Sequence, residues 1–376
     1  MRKNLFVRSI AAVSGIVMLA SLAACGDNTS SAGNNSGSTS TEKITGSFSG
    51  AGATSQQAAE EAWISAYMAA NSGANVTYNP TGSGAGVTTF LSGATAWAGS
   101  DKALSDDEVT QSSDKACANG TTAFDVPVYI SPIAIIFNLK GVSDAGKHIN
   151  LDADTAAKIF DGKIVKWNDP AIANQNKDLT LPDTQITVVH RSDKSGTTQN
   201  FVSYFKDQAP DSWTHELSEN WPDIPGQQSA KGTSGVVTAV KQADGTIGYA
   251  DFSQVGDLGT VAVKVGDKYN EISAEAGSKV IGDSKQDDTV KGDNRIVIKI
   301  NHATEAEGAY PIVLVSYDIV CPAYKDTKQA EFAKAWLTYV TSDEGQKAAQ
   351  DAAGTAPLPS SLKSEITKSI EAIKTK

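Results

Sequence analysis

The sequence predicts an α/β protein of two lobes, with the chain crossing from one lobe to the other and back. Two observations lead to that class. One is a recurring unit in which a short strand runs into a loop of glycine and hydroxyl residues and then into a helix start. The other is a pair of long apolar strands, Val126 to Phe137 and Tyr310 to Tyr317, each marked by proline. Proline cannot donate to a central ladder, so Pro127 and Pro132 point to a strand that bends or crosses between lobes. The two strands bracket a middle segment and make the first lobe discontinuous. The expected division is 44–130 with 312–376 in one lobe and 131–311 in the other.

The units follow in chain order. A strand over Ile44 to Phe48 leads into Ser49-Gly50-Ala51-Gly52-Ala53-Thr54-Ser55 and a helix carrying Ala59, Trp63, Ala66, Tyr67 and Ala70. Val76-Thr77-Tyr78 leads into Thr81-Gly82-Ser83-Gly84-Ala85-Gly86, before Val87, Phe90 and Leu91. Trp97-Ala98-Gly99-Ser100-Asp101 precedes Ser105-Asp106-Asp107-Glu108, a capping-box pattern. In mid-chain, Ile186 to Val189 alternates as a strand. Arg191-Ser192-Asp193-Lys194-Ser195-Gly196-Thr197-Thr198 follows, then Phe201, Tyr204 and Phe205 at helical spacing. The free N–H groups and dipole of a helix start favour anions. Each loop alone reads as a tight turn or a plain N-cap. Four together could line one edge of an open sheet, where ligands bind.

The remaining elements are plainer. Leu151 to Phe160 is a helix and Trp167-Asn168-Asp169-Pro170 a turn. Residues 222–245 hold a loop bearing Gly and Ser, a helix with Val236, Val237 and Val240, and a turn. Residues 253–300 are polar with short strands. Lys328 to Tyr339 is an amphipathic helix.

The amino end reads as an export signal. Arg2, Lys3 and Arg8 precede an apolar run, Ile10 to Ala24, too short to span a bilayer. It ends in Leu22-Ala23-Ala24-Cys25, which resembles the lipobox of bacterial lipoproteins. Residues 1–24 would then be removed and Cys25 lipidated. Residues 25–43 are a flexible tether rich in Ser, Gly, Asn and Thr. The remaining Cys117 and Cys321 would lie in an oxidising compartment, where a structural disulfide is expected.

Composition excludes other classes. The formal net charge is -11, and losing the three basic residues of the signal makes the body more acidic. No basic patch with interleaved aromatics points to nucleic acid. His148, His190, His215 and His302 are far apart and carry no metal spacing. No nucleophile elbow, P-loop or calcium-loop spacing occurs. Ser360-Ser361-Leu362-Lys363 matches SxxK without its companion motifs. The sequence therefore predicts no catalytic residues, no metal and no cofactor. An acidic body that binds an anion must do so with local dipoles and hydrogen bonds.

These loops carry a family resemblance. Together with Gly162-Lys163-Ile164-Val165-Lys166-Trp167-Asn168-Asp169-Pro170-Ala171-Ile172 and Gly245-Thr246-Ile247-Gly248-Tyr249, they resemble the substrate-binding lipoproteins of phosphate-specific ABC transporters. The match covers essentially all of 44–365. It implies a periplasmic-binding-protein-like fold of type II, hinged around a cleft, with inorganic phosphate as ligand. It also implies a membrane permease as partner and an extracytoplasmic, lipid-anchored location for a monomer. By matching position the ligand groups are Thr54, the backbone of Ser55, Ser83, Asp101, Arg191, Ser195, Gly196 and Thr197. Two positions depart from the family. Ser55 stands where an aromatic or apolar residue is common, and Lys194 where glycine is usual. The alternatives are a binder of another oxyanion such as sulfate or molybdate, a surface phosphohydrolase, and an adhesion protein.

Overall fold

The computed structural model describes residues 44–143 and 148–375. The expected export signal, Cys25 and the expected tether lie outside the described residues. In chain order come β1 (Gly46–Gly52), α1 (Gln57–Ala70), β2 (Ala74–Pro80), α2 (Ser83–Leu91), β3 (Trp97–Ser100), α3 (Asp106–Lys115) and the long β4 (Phe124–Asn138). Then follow β5 (Ile149–Leu151), α4 (Ala153–Phe160), α5 (Pro170–Ala173), β6 (Thr187–Arg191), α6 (Gly196–Gln208), β7 (Gln228–Ala230) and α7 (Gly232–Gln242). Next are β8 (Thr246–Asp251), β9 (Gly259–Val265), β10 (Lys268–Asn270), α8 (Ala274–Gly282), β11 (Lys285–Gln286) and β12 (Ile298–Lys299). The chain closes with β13 (Val313–Val320), α9 (Thr327–Val340), α10 (Asp343–Ala353) and α11 (Lys363–Glu371).

Among the described residues, eleven strands form one mixed sheet, in the order β2-β1-β3-β13-β4-β8-β6-β7, with β9 also paired to β4 and β5 and β10 paired to β9. β4 joins its two halves. Phe124 to Pro132 pair with β13, and Ile133 to Asn138 pair with β8. Both prolines sit where the ladder already gives way. Pro127 faces the register shift between Ser316 and Tyr317, and Pro132 is the last residue paired with β13. A missing N–H costs nothing at such places. The proline-marked strand is thus the crossover that the sequence implies. β1, β2 and β3 run parallel in one half, as do β6, β7 and β8 in the other. Their carboxyl ends carry the glycine and hydroxyl loops.

Each half has its own aromatic core. Trp63, Trp97, Phe332 and Trp336 pack together in the first, with Phe48 stacked on Phe332 at 4.2 Å. Phe160, Phe201, Trp221 and Tyr249 do so in the second. His190 stacks on Trp221, a packing role. β1 runs later than the sequence predicts, taking in Gly50, Ala51 and Gly52. The reason is pairing on both sides, since these three residues are in register with Tyr78 to Pro80 of β2 and with Trp97 to Gly99 of β3. The Trp97 ring then excludes a side chain at Gly50, where a Cβ would lie 2.1 Å from it. Small residues there serve packing as well as the loop. The region read as polar with short strands also contains α8, whose Ala276, Val280 and Ile281 are buried.

Cys117 and Cys321 are bridged, tying the end of α3 to the end of β13 across 204 residues. One buried ion pair joins distant segments. Arg295 Nε donates to Asp125 Oδ2 at 2.6 Å, and both residues also hold Leu104, whose N–H reaches Asp125 and whose carbonyl accepts from Arg295. No helix among the described residues is long and apolar enough to cross a membrane.

Candidate oxyanion site

The loops predicted from sequence converge on Asp101. It follows β3, is 2 % exposed, and accepts three hydroxyl hydrogen bonds. Ser55 Oγ and Thr197 Oγ1 donate to its Oδ2 at 2.5 and 2.8 Å, and Ser316 Oγ donates to Oδ1 at 2.8 Å. Its own N–H donates to Ser83 Oγ at 3.3 Å. Burial pushes the Asp101 carboxyl above the usual range. The hydroxyl donors and the charge of Arg191 oppose that rise.

Ser195 caps α6, its hydroxyl accepting from the N–H of Thr198 at 3.2 Å. The first-turn N–H groups of Gly196 and Thr197 have no acceptor within the helix. Gly196 is required by proximity: a Cβ would lie 2.9 Å from the Cβ of Asp101. The two sheet halves therefore touch where α6 begins. Asn200 reinforces the contact by donating to the Asp101 carbonyl at 2.6 Å.

Arg191 ends β6 and is 3 % exposed. Its Nε and Nη2 donate to the two oxygens of Asp193 at 2.8 and 2.6 Å, a bidentate pair that fixes the plane of the guanidinium. Burial raises the Asp193 carboxyl, but the adjacent guanidinium outweighs it and holds the group low. Asp193 is fixed in turn by the N–H of Gly232 at 3.0 Å. Gly82, at φ +100°, lies against this pair; a Cβ there would meet Asp193 Oδ2 at 2.5 Å. Thr54 Oγ1 accepts from the N–H of Thr233 at 3.0 Å and lies 2.9 Å from Thr233 Oγ1.

The structure thus brings Thr54, Ser55, Ser83, Asp101, Arg191, Ser195, Gly196 and Thr197 into one cluster of loops. Ser55 engages the site through its side chain as well as its position in the loop, since the hydroxyl bonds Asp101. Lys194 is exposed, with its stem lying over Gly84. Sequence reasoning missed Thr233, Asn200 and Ser316. Thr233 had a signal, because Lys231-Gly232-Thr233-Ser234-Gly235 is a fifth glycine and hydroxyl loop opening a helix. Ser316 had none, being one serine in an apolar strand. Convergence of groups identifies this place, not cavity size. A groove of about 890 Å³ lined by Lys334, Gln346 and Lys363 touches none of these loops.

Comparison with known proteins identifies the family and the fold. Residues 37–344 match the family model described as a PBP superfamily domain. The chain is 36 % identical to phosphate-binding protein PstS2 of Mycobacterium bovis, covering 98 % of this chain and 99 % of that one. It is 34 % identical to phosphate-binding protein PstS of Xylella fastidiosa, covering 85 % and 83 % respectively. The structure of a high affinity periplasmic phosphate-binding protein, PfluDING, bound with phosphate, superposes with a TM-score of 0.69. That match is at 22 % identity and covers 86 % of this chain and 93 % of the other. Near-complete matches above 30 % identity, on a fold of two sheet halves meeting at strand-end loops, place this chain in the phosphate-binding protein family of the PBP superfamily.

Proposed function

We propose that this chain captures inorganic phosphate outside the membrane and passes it to an ABC permease for import. The observation that carries the reading is Asp101, a buried carboxylate beside a buried arginine where loops of both halves meet. Arg191 supplies positive charge, and helix-start N–H groups and hydroxyls supply neutral donors. An ionised aspartate only accepts hydrogen bonds. Phosphate at neutral pH keeps at least one proton and can donate to Asp101, whereas sulfate has none and would meet it lone pair to lone pair. Mismatches of buried polar groups support discrimination on the order of 10⁴–10⁵.

In this reading the ligand groups are Thr54, the backbone of Ser55, Ser83, Arg191, Ser195, Gly196, Thr197 and Asp101. About ten bonds to a charged ligand, at roughly 1.5–3 kcal/mol each, exceed the ~8 kcal/mol of a micromolar site before ordering costs are subtracted. The lobes would meet near Ile130 on β4, and their closure would hide the anion from water. Calorimetry of the mature body with phosphate, sulfate and arsenate is the test. Phosphate binding with sulfate much weaker supports the reading. Similar affinities would make the chain a general oxyanion carrier.

The same proposal includes a lipid anchor on Cys25, resting on the Leu22-Ala23-Ala24-Cys25 pattern and the polar tether, and monomeric action, resting on the family resemblance alone. Cys25→Ala should give an unprocessed precursor or protein released from membranes. Normal processing and retention would refute the anchor.

A further inference from the structure

Building on the phosphate reading, we propose that Ser55 and Ser316 are specificity-determining residues: with Thr197 they leave Asp101 a single open acceptor position, reserved for a ligand oxygen that carries a proton. The count is simple. A carboxylate offers about four lone-pair sites. Ser55 and Thr197 occupy both on Oδ2, and Ser316 occupies one on Oδ1. One site on Oδ1 remains.

The three donors come from separate parts of the chain, so their agreement is not a local turn motif. Ser55 precedes α1, Thr197 lies in the first turn of α6, and Ser316 is on β13. Ser316 is itself held in direction. Gln56 Nε2 donates to its Oγ at 2.8 Å and to the Tyr317 carbonyl at 3.1 Å. With that N–H pointing at the oxygen, the serine's own proton is turned to Asp101. Tyr78 OH braces Gln56 from the other side, its one proton shared between the Ala53 carbonyl at 3.0 Å and Gln56 Oε1 at 3.2 Å. Ser55, Gln56, Ser316 and Asp101 are all nearly or fully buried, so water does not compete.

The consequence concerns protonation. Hydrogen bonds to the charged form favour it, and both serines act in that sense on Asp101. Removing either hydroxyl frees an acceptor position and makes the acid easier to protonate. A protonated Asp101 becomes a donor and welcomes a proton-free oxyanion. The other charged and titratable groups facing Asp101 are Arg191 at the end of β6, Asp251 at the end of β8, Tyr78 on β2 and Tyr129 on β4. All are unchanged in the serine variants, so a difference from wild type reports on Asp101.

The experiment measures sulfate and phosphate affinity by calorimetry from pH 5 to 8 for wild type, Ser55→Ala and Ser316→Ala, with Asp101→Asn as the limit of a site that always donates. For Ser316→Ala, which lies outside the ligand set, we expect phosphate affinity at pH 8 within about threefold of wild type, which also shows the site to be folded. Ser55→Ala is read against it through its ratio of sulfate to phosphate affinity. Sulfate binding should extend to higher pH, narrowing the phosphate preference at pH 6 by roughly tenfold or more, the scale of one hydrogen bond to a charged group. Sulfate profiles that superimpose on wild type in both variants overturn the inference, as does a uniform loss of both anions. Failure of wild type to bind phosphate at all would instead overturn the reading on which it rests.

Discussion

Two buried arginine–aspartate pairs divide the labour in this molecule. Arg295–Asp125 closes a contact between residues 170 apart, whereas Arg191–Asp193 spans two residues at the end of one strand. They differ in what the guanidinium has left over. Arg295 uses Nε, Nη1 and Nη2 on Asp125, the Lys291 carbonyl and the Leu104 carbonyl. Arg191 directs Nε and Nη2 to Asp193 alone, although it is as deeply buried. Five N–H donors come with every arginine. A guanidinium satisfied by its own chain is a structural fastener. One oriented by a neighbouring acid, with donors still to spend in a cluster of hydroxyls, is set up for an anion.

The contrast predicts opposite phenotypes. Arg295→Met leaves Asp125 buried and unpaired, which typically costs about 3–5 kcal/mol. Urea unfolding should show a loss of that size, and a loss below about 1 kcal/mol would erase the distinction. Arg191→Ala should instead weaken phosphate binding at least roughly tenfold through lost charge-assisted bonds. It should shift the unfolding midpoint of the phosphate-free protein far less than Arg295→Met. Arg191→Lys should recover only part of the affinity, because a point charge cannot pair with both Asp193 and a ligand as a planar fork does. Unchanged affinity in Arg191→Ala would place the anion elsewhere.

The two arginines were also unequally visible in the sequence. Arg191 stands between an alternating strand and a capped helix, so local pattern gave both its position and its chemistry. Arg295 lies in a polar stretch without periodicity, and its partners Asp125 and Leu104 are chosen by tertiary packing alone. The same division runs through the site. Thr54, Ser83, Asp101, Ser195 and Gly196 sit on strand-end loops whose small residues announce them. Ser316 and Asn200 reach Asp101 from inside regular elements, where nothing local marks them. The long β4 was readable because its prolines have a backbone meaning, and α8 was not, because its apolar positions are few and flanked by charge.

A third arrangement, acids buried with no cation, sharpens the comparison. Glu60 on α1 and Asp318 on β13 are fully buried. Trp97 Nε1 donates to one oxygen of Glu60 at 3.2 Å and Trp336 Nε1 to one of Asp318 at 3.1 Å, while Glu60 Oε2 and Asp318 Oδ1 have no partner. Burial pushes Asp318 up to about 7, and burial together with the charge of Asp318 pushes Glu60 well above the usual range. The folded protein therefore holds protons that the unfolded chain releases near pH 4. Where the native state binds more protons, stability falls as pH rises. For Asp318 that window runs from about pH 4 to about pH 7, with a slope approaching 1.4 kcal/mol per unit. Asp251, also raised by burial to about 7, adds to the same slope. Asp318→Asn keeps the oxygen that faces Trp336 and removes one titrating proton. Urea unfolding at pH 5 and pH 8 should show a smaller drop in stability for the variant than for wild type, with Glu60 and Asp251 contributing to the remainder. An equal drop in both proteins would mean that Asp318 keeps the same charge across this range, and that an acid without a cation is tolerated here as a charge after all.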